Sequence, residues 1–251
     1  LGLLVGILYV QMSWAAVLFL LMPLLVARHG FRTAIEMAGS YDATVRQLIS
    51  VFETKDPYTR GHAERVSRLA ELTARSYGLP EADCIAIRYS ALMHDIGKLT
   101  VRSGVLKKPG KLTAPEYEHM QLHPERGVEI LSEIDLLKDQ LDGVRYHHEK
   151  MDGTGYPDGL IGHEIPLFAR LIMVADAFDS MTSTRSYRRS KSIEDAMQEL
   201  RRCEGTQFDP VALEALERAV QRYGWEPVPE IDEEEHHHED SGHHHARLAS
   251  L

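Results

Sequence analysis

The chain has 251 residues, with 28 Lys and Arg against 38 Asp and Glu and a formal net charge of −10. That balance excludes a protein that coats DNA through a basic face, because neutralising phosphates needs clustered Lys and Arg. The content of 43% hydrophobic and 26% charged residues is that of a globular chain, and two cysteines, Cys84 and Cys203, exclude a disulfide framework and point to a reducing compartment.

Residues 1–27 carry no charged side chain, and only Gln11, Ser13 and Pro23 interrupt the apolar run. Roughly 20 apolar residues rising about 1.5 Å each cross a bilayer, so this segment predicts a transmembrane helix. Arg28 and Arg32 follow at once, which assigns the remainder to the cytoplasmic side of an inner, cytoplasmic membrane. A secretory signal peptide and a buried core helix are the competing readings; the length of the run and the lack of a preceding basic segment argue against the first.

In the linking segment, residues 28–53, Ile35, Ala38, Val45, Ile49 and Phe52 recur at spacings of three, four and seven. This predicts a helix that is either the first amphipathic helix of the domain or a dimerising stalk. A domain spanning residues 42–225 follows, with helices expected at 63–77, 80–96, 115–133, 137–148, 168–182, 192–202 and 210–223. Gly78-Leu79-Pro80 and Lys108-Pro109-Gly110 supply stops, while Ser192 with Asp195 and Asp209-Pro210 supply starts. No strand-length alternation or internal repeat occurs, so the fold class is all-α. Residues 226–251 hold eight acidic residues against Arg247 and two His triplets, 236–238 and 243–245. Such a tail predicts a solvated, disordered segment, with metal capture by the triplets as the alternative.

Seven of the 14 histidines fall within the domain: His62, His94, His119, His123, His147, His148 and His163. His94-Asp95 closes an apolar helix, His147-His148 precedes a glycine-rich loop, and Asp176 and Asp179 interrupt an otherwise apolar helix. A buried Asp needs a partner. A helical domain that gathers His62, His94, Asp95, His123, His147, His148 and Asp176 holds enough imidazole and carboxylate for two metal ions, and that mixed donor set suits iron or manganese. Two ions about 3.5–4 Å apart can clamp the attacked phosphorus and its leaving oxygen, which is phosphodiester chemistry.

The order and spacing of these segments resemble the HD-GYP family of cyclic dinucleotide phosphodiesterases, a branch of the HD superfamily. The resemblance runs from Asp56-Pro57-Tyr58-Thr59-Arg60-Gly61-His62 through His94-Asp95-Ile96-Gly97-Lys98, His147-His148-Glu149, Asp152-Gly153-Thr154-Gly155-Tyr156-Pro157 and Ala175-Asp176 to Gly205-Thr206-Gln207-Phe208-Asp209-Pro210, covering about residues 42–220. It implies hydrolysis of cyclic di-GMP to pGpG, with GMP as the alternative end product. By position, His62, His94, Asp95, His123, His147, His148 and Asp176 match the metal ligands, with Asp95 bridging. Lys98 matches a lysine aimed at the scissile phosphate. Tyr156, Arg185 and Arg188 match substrate-binding positions, and the Gly155-Tyr156-Pro157 loop matches one implicated in binding protein partners.

Tyr58 stands where three-metal members carry Glu, so two divalent ions are expected, and Ser186 stands where a Pro is common. Lys98 lies four residues after His94, which on a helix puts both on one face. His119 likewise shares a face with His123 and reads as a surface or supporting residue, and His163 reads as surface loop. Asp179 reads as an acceptor that orients a ligand or Lys98. A dimerising stalk over 28–53 would make the assembly a homodimer, one of the open oligomeric states. The alternatives are a membrane-tethered cyclic di-GMP sensor or scaffold, and an HD phosphohydrolase acting on another nucleotide.

Overall fold

The computed structural model describes residues 61–108, 110–183 and 190–226 and, nearer the N-terminus, residues 21–33 with isolated positions between 2 and 47. Two units are distinguished, Leu1–Val51 and Phe52–Leu251. In the first, residues 21–33 are helical and largely exposed; Thr33 Oγ1 donates to the His29 carbonyl at 3.0 Å. Among the described residues no helix is long and apolar enough to cross a membrane. Most of the transmembrane span expected over 1–27, most of the linking helix, and Tyr58 and Ser186 lie outside the described residues, as does the tail beyond Glu226.

The second unit is helical, and no strand occurs among its described residues, which contain only two isolated bridge pairs. It opens with α1 (His62–Tyr77) and α2 (Glu81–Met93). The short α3 (Ser103–Leu106), α4 (Ala114–Gln121), α5 (His123–Leu131) and α6 (Leu141–Tyr146) follow, then α7 (Leu167–Thr182), α8 (Ile193–Arg202) and α9 (Pro210–Tyr223). Helix α1 ends where the expected stop lies: Gly78 adopts φ 100°, a left-handed conformation that costs glycine little, and its N–H caps the Ala74 carbonyl. Ser192 accepts the Asp195 N–H to start α8, and Asp209 accepts the Val211 N–H to start α9.

The core lies where α1, α2, α7, α8 and α9 meet. Val66, Leu69 and Ala70 of α1, Ile87 of α2, Ile172, Val174 and Phe178 of α7, Leu200 of α8 and Leu216 of α9 are all fully buried. Helix α7 runs through the middle, which explains its near-continuous apolar sequence.

Three expected helices are broken. The segment 80–96 stops at Met93, and Ile96–Thr100 continues as a 3-10 turn with Asp95 at its head. The segment 115–133 divides at Leu122, because Pro124 cannot supply the N–H that would continue α4. The segment 137–148 is a 3-10 stretch, Asp135–Gln140, followed by α6, with His147 and His148 beyond its last turn. Two readings based on helical spacing fall with these breaks. His119 and His123 belong to different helices. Lys98 sits in the 3-10 turn, whose three-residue period pairs it with Asp95.

Candidate metal centre

The expected ligands converge because each sits at a helix end or on α7. His62 opens α1, His94 caps α2, His123 opens α5, His147 and His148 follow α6, and Asp176 lies midway along α7. His62, His94, Asp95, His123 and His147 are each no more than 5% exposed, whereas His148 and Asp176 are half-buried.

A shared device orients three of the rings. His94 Nδ1 lies 2.7 Å from the Ala91 carbonyl, His123 Nδ1 2.8 Å from that of Met120, and His147 Nδ1 2.7 Å from that of Val144. In each case the carbonyl is three residues back. A carbonyl only accepts, so Nδ1 carries the proton and Nε2 presents its lone pair inward. His62 is oriented instead by a carboxylate: its Nδ1 lies 2.6 Å from Asp179 Oδ2, and Arg65 holds that carboxylate through Nε at 2.7 Å and Nη2 at 3.1 Å. Asp179 therefore contacts His62 and Arg65.

The inward atoms meet around Asp95. His94 Nε2 lies 3.3 Å from Asp95 Oδ2, and His123 Nε2 lies 3.3 Å from Oδ1, with His147 Nε2 at 4.0 Å. Two donor groups result, His62-His94-Asp95 and Asp95-His123-His147-His148, with the ligating atoms of each within 4.8 Å of one another. Asp95 belongs to both. Asp176 approaches the first group through Oδ1, 3.2 Å from His62 Nε2. Lys98 Nζ donates to Asp95 Oδ2 at 2.6 Å.

The donor set fits divalent cations. His94 Nε2 and Asp95 Oδ1 are buried and form no hydrogen bond, a costly state that a cation relieves. Burial disfavours charge on His147, and the imidazoles of His148, His94 and His123 reinforce it, so its pKa falls well below the usual value. Burial, with His123 beside it, pulls His148 down to about 3. Neutral imidazoles are the form that binds metal. Burial also opposes ionisation of Asp95, but the nearby His94 and Lys98 outweigh it and keep the carboxylate ionised. For His62 burial is outweighed by Asp176 and Asp179, which raise it to about 9. Two carboxylates thus favour positive charge at that ring, as a cation beside Nε2 would supply.

Tyr156 closes the site on the side of His148. Its ring stacks on that imidazole with centroids 4.8 Å apart at 28°, and burial raises its phenol well above the ordinary value. Arg185 and Arg188 lie outside the described residues. His163 is exposed, with Nδ1 3.2 Å from an Arg170 nitrogen. Sequence reasoning gave no role to two residues that build the site, Arg65 and Glu149. Arg65 follows His62 by one helical turn, and Glu149 is an acidic residue directly after the His pair, so each had a positional signal.

A metal-binding bundle assembled from helix ends defines a class of helical phosphohydrolases, and the profile of the HD domain matches residues 46–211. The chain belongs to the HD domain family, in its HD-GYP branch. The 3′3′-cGAMP-specific phosphodiesterase 3 of Vibrio cholerae is 39% identical over 71% of this chain and 40% of its own length. The cyclic di-GMP phosphodiesterase response regulator RpfG of Xanthomonas campestris is 40% identical over 70% of this chain and 47% of its own. The chain therefore spans less than half the length of these curated relatives. Bd1817, an HD-GYP-type protein of Bdellovibrio bacteriovorus, shares the fold at a TM-score of 0.51 and 18% identity, covering 64% of this chain and 51% of that one.

Proposed function

We propose that the chain is a metal-dependent phosphodiesterase that hydrolyses cyclic di-GMP to linear pGpG and further to GMP. The observation that carries this reading is the double membership of Asp95, a carboxylate that would hold two divalent cations, iron or manganese by the imidazole-carboxylate donor set. Bound there, such a pair supplies Lewis acidity at phosphorus and an activated water. The side chains of this protein do the rest. His94, His123 and His147 present Nε2 without rearrangement, because their Nδ1 protons are committed to backbone carbonyls. Lys98 holds a positive charge 2.6 Å from Asp95 Oδ2, where a phosphate oxygen gaining negative charge is stabilised. Tyr156 lines the substrate side, and Arg185 and Arg188 hold the dinucleotide phosphates through their paired donors. Each cleavage consumes one water: the new P–O bond forms as the bond to the 3′ oxygen breaks, and that oxygen takes up a proton.

Two ions rather than three follow from Tyr58, since a phenol is a poor substitute for a carboxylate ligand. The relatives named for 3′3′-cGAMP favour a mixed cyclic dinucleotide as the second reading. Product analysis with metal stoichiometry tests the proposal. The full chain, loaded with Mn²⁺ or Fe²⁺ under reducing conditions, is offered cyclic di-GMP, 3′3′-cGAMP and pGpG. The expected result is two metals per chain and pGpG appearing from cyclic di-GMP. Preference for 3′3′-cGAMP supports the second reading, and no turnover with both metals bound leaves a sensor or scaffold.

The uncharged run 1–27 and its Arg28 and Arg32 flank support a membrane tether with the catalytic domain in the cytoplasm. The apolar spacing of Ile35, Ala38, Val45, Ile49 and Phe52 supports a homodimer, and the Gly155-Tyr156-Pro157 loop supports docking of protein partners. Fractionation of cells expressing the full chain tests the tether: recovery without detergent in the soluble fraction removes it.

A further inference from the structure

Glu149 is 1% exposed, yet it belongs to neither donor group. Its two oxygens accept three consecutive backbone N–H groups: Asp158 at 2.7 Å and Gly159 at 2.9 Å on Oε1, and Leu160 at 3.0 Å on Oε2. A buried carboxylate persists only with such partners. The strand of chain it holds is the return arm of the loop that carries Tyr156.

The rest of that loop lies on the backbone of residues 148–150 and on the His148 ring. A Cβ at Gly155 would sit 2.4 Å from Lys150 N, 2.5 Å from Glu149 Cα and 2.6 Å from the His148 carbonyl oxygen, so only glycine allows this approach. Tyr156 N–H donates to the same carbonyl at 3.3 Å, and its ring stacks on His148. Arg145 Nη2 donates to Asp158 Oδ1 at 3.1 Å from the outer side. Glu149 therefore ties the far arm of the loop to the residue next to the imidazole that Tyr156 covers.

We propose that Glu149 is a positioning residue that holds Tyr156 against His148 and thereby sets how the substrate is seated. The effect on substrate rests on the phosphodiesterase reading; the effect on the loop does not.

Two measurements on the full, metal-loaded chain test this. In Glu149→Gln the amide oxygen still accepts Asp158 and Gly159 while the NH₂ group faces the Leu160 N–H, donor against donor. Amide hydrogen exchange at Leu160 should accelerate, and KM for cyclic di-GMP should rise on the order of tenfold, the value of one lost charge-assisted hydrogen bond. Both metals should stay bound and kcat should change little. Tyr156→Ala should raise KM similarly, and the double variant should be no worse than Tyr156→Ala alone, because the two act in series. Additive KM effects, unchanged exchange over residues 158–160, or loss of metal from Glu149→Gln would overturn the proposal. A wild-type chain that holds two metals but leaves cyclic di-GMP intact removes the phosphodiesterase reading, and the exchange rates then decide the clamp by themselves.

Discussion

At the residue scale the chemistry concentrates on Asp95, whose oxygens face two sets of imidazoles while Lys98 balances its charge. Replacing it with Asn should cost both ions together, dropping metal stoichiometry below one per chain and abolishing turnover; retention of one full equivalent would contradict the shared role. Lys98→Ala differs in kind. It should leave both metals bound and lower kcat by about 10²–10³-fold, the usual loss for one charge-stabilising donor. Asp179 acts at one remove, fixing His62 through Nδ1 and itself fixed by Arg65. Asp179→Asn should weaken metal binding by about 10–100-fold, measured by competition with a chelator, since it disturbs the ring's orientation without removing a ligand.

At the element scale the site exists because helices stop. In a continuous helix over 115–133, the Met120 carbonyl would take the backbone N–H four residues on; Pro124 has none, and the carbonyl accepts the His123 Nδ1 proton at 2.8 Å. The same use of an end carbonyl recurs at Ala91 and Val144. These breaks were only partly legible. Pro124 announced one, but nothing in the apolar run ending at Ile96 shows that the helix yields to a 3-10 turn after Met93. Gly97 holds that turn against α5: a Cβ there would lie 1.8 Å from the His123 carbonyl oxygen and 2.5 Å from Gly127 N, both backbone atoms. Gly97→Ala should therefore destabilise the fold by at least about 1–3 kcal/mol and displace His123, seen as a lower Tm with weaker metal binding. An unchanged Tm would mean that α5 can retreat freely.

At the scale of the whole domain, binding and folding are linked, because the donor atoms are gathered from α1, α2, α5, α6 and α7 only in the native state. Each site filled by Mn²⁺ at about 100 times its Kd should add about 2.7 kcal/mol and raise Tm by about 5–10 °C, with the gain reversed by chelation and largely absent from Asp95→Asn. A metal-independent Tm would argue against a site assembled by folding. The all-α class, the helix starts at Ser192 and Asp209, the stop at Gly78 and the identity of the clustered His and Asp residues were all readable from the chain, because periodicity, caps and donor types are local properties. Helical spacing misplaced Lys98 and His119, since a local period cannot register where tertiary contacts end a helix. Only the tertiary structure decided that Arg65 and Glu149 support the site and that Tyr156 lies on His148. Those are distances between segments far apart in sequence, determined by how the helices pack.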